Sequence, residues 1–152
     1  MVDFVSLFAA GLLAGAEVVV RYGVRDAITL LDEQPQLVLR QALVRRLRIL
    51  VPVLYGLTVV TGVAVAVVDG AAPGAGFRWA ALVALLGWTV LTFSGTVPIN
   101  KAVVSWSPTA PPADWRQRLD RWERLNTIRT WAALAVFGCF TIAAALNVHS
   151  GQ

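Results

Sequence analysis

Apolar residues gather along the chain into four long runs, about residues 4–24, 49–68, 79–99 and 131–148. Each comes near the ~20 residues a helix needs to cross the hydrocarbon core of a bilayer. From Arg25 to Arg48 the pattern changes, with arginines set among Leu37, Val44, Leu47 and Val51 at helical spacing. That stretch predicts an amphipathic helix starting near Pro35 and running into the second span, with Pro52 bending its entry. A second such helix is expected from about Trp115, where Asp114 is placed to cap the start and Gln117 to return the bond. No glycine or proline interrupts it before Gly138. Gly70, Pro73, Gly74 and Gly76 make residues 69–76 a short turn. The pattern predicts an all-α fold in one domain over residues 1–152. It is a membrane-embedded four-helix bundle with an amphipathic cytoplasmic helix before span 2 and another before span 4.

Charge orients the spans. The chain has 13 Lys and Arg residues, of which five fall in residues 25–48, one (Arg78) near the middle turn, and six in residues 100–130. Basic residues are retained on the cytoplasmic side during insertion, so segments 25–48 and 100–130 are expected in the cytoplasm and both termini outside the cell membrane. The first run lacks a basic stretch before it and reads as a span rather than a cleaved signal peptide. With 57% hydrophobic and 14% charged residues, the sequence has too little polar surface for a soluble globule. A pI near 10.2 would suit nucleic acid, but here the arginines flank apolar runs, so anionic lipid headgroups are the expected counter-charge and nucleic acid is not. Cys139 and His149 are the only residues of their kinds. That poverty of soft and imidazole ligands disfavours a tightly held transition metal. Gly11 and Gly15 form a GxxxG patch in the first run, able to pack a helix within the chain or to build a homo-oligomer.

A few polar residues sit where an apolar run makes them costly. Glu17 lies well inside the first span and Arg21 four residues on, the favourable order for an ion pair on one helix face. A charge at that depth costs about 2.5–3.5 kcal/mol and calls for a partner or a function. Two readings stay open. Glu17 and Arg21 either lock the bundle as a structural pair, or Glu17 is a proton acceptor at the bottom of a cavity, with Tyr22 a hydrogen-bond donor nearby. In the third span Thr89, Thr92, Thr96 and Asn100 share a face. In the last helix Trp115, Leu119, Trp122, Asn126 and Arg129 form one stripe, with Arg116, Arg118, Asp120, Arg121, Glu123 and Arg124 on the other faces. The tryptophans of that stripe equally suit a membrane-interface anchor and Arg129 a snorkelling cation. If the stripe points inward, Asn100, Asn126, Arg129, Glu17 and Arg21 come to one depth and one pocket. Such a pocket suits an anionic or enolisable aromatic guest better than a metal ion.

The run Thr96-Val97-Pro98-Ile99-Asn100, with Trp106 and then Trp122-Glu123-Arg124-Leu125-Asn126-Thr127-Ile128-Arg129-Thr130, resembles the anthrone-oxygenase-like family of small four-span membrane proteins. The shared pattern is Pro-(Leu/Ile)-Asn closing the third span and Trp-x-x-x-(Asn/His)-x-x-Arg opening the fourth, carried here by Asn100, Trp122, Asn126 and Arg129. The resemblance implies oxygenation of polyketide-type aromatics, anthrone to anthraquinone, with dioxygen as co-substrate and without flavin or metal. For such a reaction Glu17 and Arg21, singled out by the cost of their burial and not by the motif, join Asn100 and Arg129 of the shared motif as the expected catalytic residues. Tyr22, Thr92, Thr96, Trp122 and Asn126 are the expected substrate contacts. A different class of reading is a non-catalytic binding or assembly protein whose polar cluster is structural. A transporter subunit is a poorer one, because the four spans show no internal repeat.

Overall fold

The structure is a computed structural model that describes residues 2–68 and 72–150. Helix α1 (Val2–Val18) winds through a π-helical turn (Val19–Val24) into the short α2 (Arg25–Thr29). Helix α3 spans Glu33–Val68, and α4 (Ala75–Leu91) passes through a second π-turn (Thr92–Thr96) into α5 (Val97–Ser105). Helix α6 spans Trp115–Ser150. The fold is all-α, and among the described residues only an isolated bridge between Ser107 and Ala110 departs from helix and turn. The turn expected over 69–76 is described only from Ala72 onward.

Four helical rods, Asp3–Thr29, Glu33–Val68, Ala75–Ser105 and Trp115–His149, are long and apolar enough to cross a membrane. The 36 residues of α3 or α6 rise roughly 54 Å, well beyond a ~30 Å hydrocarbon layer. Large apolar side chains such as Phe4, Phe8, Val60, Val83 and Leu86 point outward and exposed, as a lipid-facing surface requires. Around the bundle the neighbours run α1, α3, α4, α6 and back to α1, and the α3–α4 seam is the loosest of the four.

Proline explains the second π-turn. Pro98 has no N–H to give the Ser94 carbonyl and its ring crowds that carbonyl, so an ordinary turn cannot close there. The Val97 N–H instead reaches back five residues to the Thr92 carbonyl. Gly95 lets this wider turn lie against α6, since a Cβ there would stand 2.5 Å from Leu125 Cδ1.

Two cores hold the rods, one at each side of the π-turns. The larger packs Leu13 and Ala14 of α1 against Leu85 and Trp88 of α4 and Val136 and Phe140 of α6. The smaller, toward the arginine-rich end, packs Leu37, Ile99, Val103, Trp106, Trp115 and Leu119. Gln41 ties α3 to it by donating from Nε2 to the Val103 and Trp106 carbonyls at 3.0 and 2.9 Å, closing the end of α5.

Three local expectations change. The GxxxG patch makes no helix-to-helix backbone contact within the chain: Gly11 meets the edge of the Phe137 ring, Gly15 faces open space, and Ala10 and Ala14 are the small residues buried in the core. Asp114 does not cap α6 with its side chain, which instead pairs with Arg118 at 2.7 Å, while its carbonyl accepts the Arg118 N–H. Arg78 is not a loop cation but a fully buried residue in the first turn of α4, 3.5 Å from Asp3. Gly74, at φ +89°, brings that turn against the Ala143 backbone of α6.

Candidate functional site

Between the two cores, on the loose α3–α4 seam, lies a partly open cavity of about 510 Å³. That volume suits a drug-sized ligand. Both π-turns border it, through Val20 in the first rod and Thr92, Phe93 and Thr96 in the third. Unwound turns of this kind recur at functional sites because they redirect side chains that a regular helix would hold in a row.

At its inner end Glu17 and Arg129 form a buried ion pair, Nη2 to Oε1 at 2.5 Å, with the two residues 3% and 6% exposed. The Arg129 guanidinium lies 4.3 Å from the centre of the Trp88 ring, a cation–π contact. Tyr55 stacks on Trp88, centroids 4.7 Å apart and planes 12° from parallel, and its hydroxyl bonds the Thr89 hydroxyl. Thr130 Oγ1 donates to the Asn126 carbonyl and lies 3.5 Å from the Glu17 carbonyl oxygen, joining α6 to the end of α1.

Further side chains that line this cavity carry buried polar atoms without partners. Thr96 Oγ1, Asn100 Oδ1, Trp122 Nε1, Asn126 Nδ2 and Arg129 Nε are buried and have no hydrogen-bond partner among the described residues. Buried polar groups are nearly always paired, and five orphans on residues that line one cavity set this wall apart from the rest of the bundle. Three are N–H donors; Asn100 offers a carbonyl and Thr96 a hydroxyl.

The inward stripe of α6 is real: Trp115, Leu119, Asn126 and Arg129 are buried, and Trp122 borders the cavity. Glu17, Asn100, Thr92, Thr96, Trp122, Asn126 and Arg129 therefore meet at one site. Arg21 and Tyr22 do not join them. Arg21 donates to Thr127 Oγ1 at 2.6 Å instead of pairing with Glu17, and Tyr22 is 53% exposed. The Glu17 carboxylate is taken by Arg129 of α6, and Arg21, inside the first π-turn, reaches α6 at Thr127 instead. Glu123, expected on a solvated face, is clamped between Arg25 at 2.7 Å and Arg40 at 3.0 Å, fastening α2 and α3 to α6.

Tyr55 and Trp88 escaped the sequence reading. Trp88 had a signal, since it precedes Thr92 by four residues and extends the polar face of the third span by one turn. Tyr55 had none, lying within an apolar run. Among the described residues no three His, Cys, Asp or Glu side chains come together as a metal-ligand group.

The anthrone oxygenase family model matches residues 41–139, from α3 into α6. The chain belongs to the anthrone oxygenase family. No curated protein and no solved structure matches it. The family segment contains Asn100, Trp122, Asn126 and Arg129, whereas Glu17 lies outside it. In this anthrone oxygenase family member the fold joins the two parts, because Arg129 of the matched segment holds the carboxylate supplied by α1.

Proposed function

We propose that this protein is a membrane-bound, cofactor-independent oxygenase of anthrone- or hydroquinone-like aromatic polyketides. It sits in the cell membrane with both termini outside and the arginine-rich end of the bundle in the cytoplasm, as the five and six basic residues of segments 25–48 and 100–130 favour. Membrane lipid surrounds it and its small-molecule partner is a hydrophobic aromatic. The observation that carries the reading is the Glu17–Arg129 pair at the inner end of a largely apolar cavity, ringed by unpaired donors.

Glu17 acts as the general base. Its Oε1 is engaged by Arg129, and Oε2 takes a proton from the methylene carbon that the anthrone carbonyl activates. Negative charge then develops on that carbonyl oxygen, where the Arg129 Nε–H and the Asn126 amide N–H stabilise it. Asn100 Oδ1 and Thr96 Oγ1 accept from phenolic hydroxyls and fix the ring. The carbanion passes one electron to dioxygen, and radical and superoxide combine to form a carbon–oxygen bond. Glu17 returns its proton to the peroxide. The second methylene proton leaves as the O–O bond breaks, giving a carbonyl and one water from one CH2 and one O2. Dioxygen is the only oxidant in this balance, and the apolar walls exclude water from the carbanion.

The test is oxygen uptake by the detergent-purified protein with an anthrone. One quinone per dioxygen is expected, and Glu17→Gln lowers kcat by about 10²–10⁴. Undiminished turnover in that variant rules out Glu17 as the base. The closed Glu17–Arg129 pair also supports a second reading, a binding or assembly protein whose polar cluster sets helix packing. An aromatic that binds the cavity without any oxygen uptake decides for that one.

A further inference from the structure

Two cations border the cavity that the chemistry above leaves unused. Arg48, one turn before Pro52 on α3, and Lys101, next to Asn100 on α5, both line it and are both exposed. Neither has an ion-pair partner among the described residues, whereas Arg25, Arg40, Arg116, Arg118 and Arg129 each hold a carboxylate. Charge on the cavity wall is therefore lopsided. Glu17 and Arg129 neutralise one another, and the uncompensated positive charge belongs to Arg48 and Lys101.

Their position relative to the ion pair sets a length. Tyr55 stacks on Trp88 and so marks the level of Arg129. Arg48 lies seven residues earlier on α3, roughly 10 Å along the helix axis. Lys101 lies 13 residues beyond Trp88 on the third rod, roughly 20 Å along its axis toward the same end. Apolar wall from Val51, Phe93 and Val97 fills the interval. A guest with its reacting carbon at Glu17 thus has a flat apolar body about as long as a few fused rings before it reaches Arg48, with Lys101 set farther toward the same end and its long side chain beside the cavity.

We infer that Arg48 and Lys101 form a carboxylate-binding mouth, and that the preferred substrate is a fused-ring aromatic carrying an ionised carboxyl group on the ring remote from the oxidised carbon. This rests on the oxygenase reading for its catalytic assay but not for its binding assay. Anionic oxygens are also offered by lipid phosphate, and the two sources separate by experiment.

The full chain is purified in an uncharged detergent and given two anthrones that differ only in bearing a free carboxylate or its methyl ester. The wild type should prefer the carboxylate by about tenfold or more in kcat/KM, since a charge-assisted contact of ordinary strength is worth that factor. Arg48→Gln with Lys101→Gln should abolish the preference, raising KM for the carboxylate about tenfold more than KM for the ester. A preference that survives both substitutions, or never exists, overturns the inference. If neither compound is oxidised, the oxygenase reading fails by itself. Equilibrium binding of the same two compounds, followed by quenching of tryptophan fluorescence, then decides: tighter carboxylate binding lost in the double variant upholds the mouth, and equal affinities overturn it. Phosphatidylglycerol added in mixed micelles is the lipid arm. Displacement of the carboxylate compound at equal or lower mole fraction assigns the two cations to lipid and also overturns the inference.

Discussion

Removing Glu17 alone does two things at once, which makes the residue pair a sharper probe than either member. Glu17→Gln leaves the Arg129 guanidinium buried without its carboxylate, and stranding one partner of a buried pair costs of order 3 kcal/mol. The double variant Glu17→Gln with Arg129→Gln relieves that cost. Its melting temperature in detergent should return most of the way to wild type, while the single variants melt well below it. Trp88→Leu is expected to raise KM for an aromatic guest several-fold and to lower stability by about 1–3 kcal/mol, read by steady-state kinetics and thermal melting, because it removes both the guanidinium contact and the Tyr55 stack. Glu17 was legible in the sequence because charge within an apolar run is costly enough to need a reason, and Arg129 because it shares the α6 stripe with Trp115, Leu119 and Trp122. Their pairing was not. Helical spacing points Glu17 at Arg21, whereas in the fold Arg129, far along the chain, takes the carboxylate and Arg21 bonds Thr127.

At the scale of helices, the cavity depends on how α5 and α4 are held. Gln41→Ala should unhook α3 from the Val103 and Trp106 carbonyls and destabilise the chain by about 1–3 kcal/mol, detected as a lower melting temperature, with a rise in KM as Asn100 loses its fixed position. Gly74→Ala should cost at least about 1–2 kcal/mol. The φ of +89° disfavours any Cβ, and the Ala143 backbone 2.9 Å away cannot move like a side-chain tip. The long apolar runs announced the four membrane-length rods, and the α6 stripe announced which face turns inward. Interruptions within rods were harder to see: Pro98 and Gly95 were visible, but periodicity treats the third span as one regular helix and misses the wider turn that aims Thr92 and Thr96 at the cavity. Glu123 was hidden for a related reason, since its partners Arg25 and Arg40 come from far along the chain.

For the molecule as a whole, the proposed orientation rests on where basic residues sit. Single cysteines at Ser107 and at Thr109, in a Cys139→Ala background, should react with a membrane-impermeant maleimide only after the cytoplasmic face of the membrane is opened; labelling of intact cells at those positions means the inverted topology. In the proposed orientation the cavity's cationic mouth would face the inner headgroups, with the ion pair deeper in the bilayer. The most direct measurement is dioxygen uptake and quinone formation by the purified chain with an anthrone, wild type beside the stability-restored Glu17→Gln, Arg129→Gln protein. Expected is equimolar uptake and product from the wild type and a loss of about 10² or more in kcat from the folded double variant. A double variant that stays folded and turns over at the wild-type rate would place the reaction somewhere other than the Glu17–Arg129 cavity.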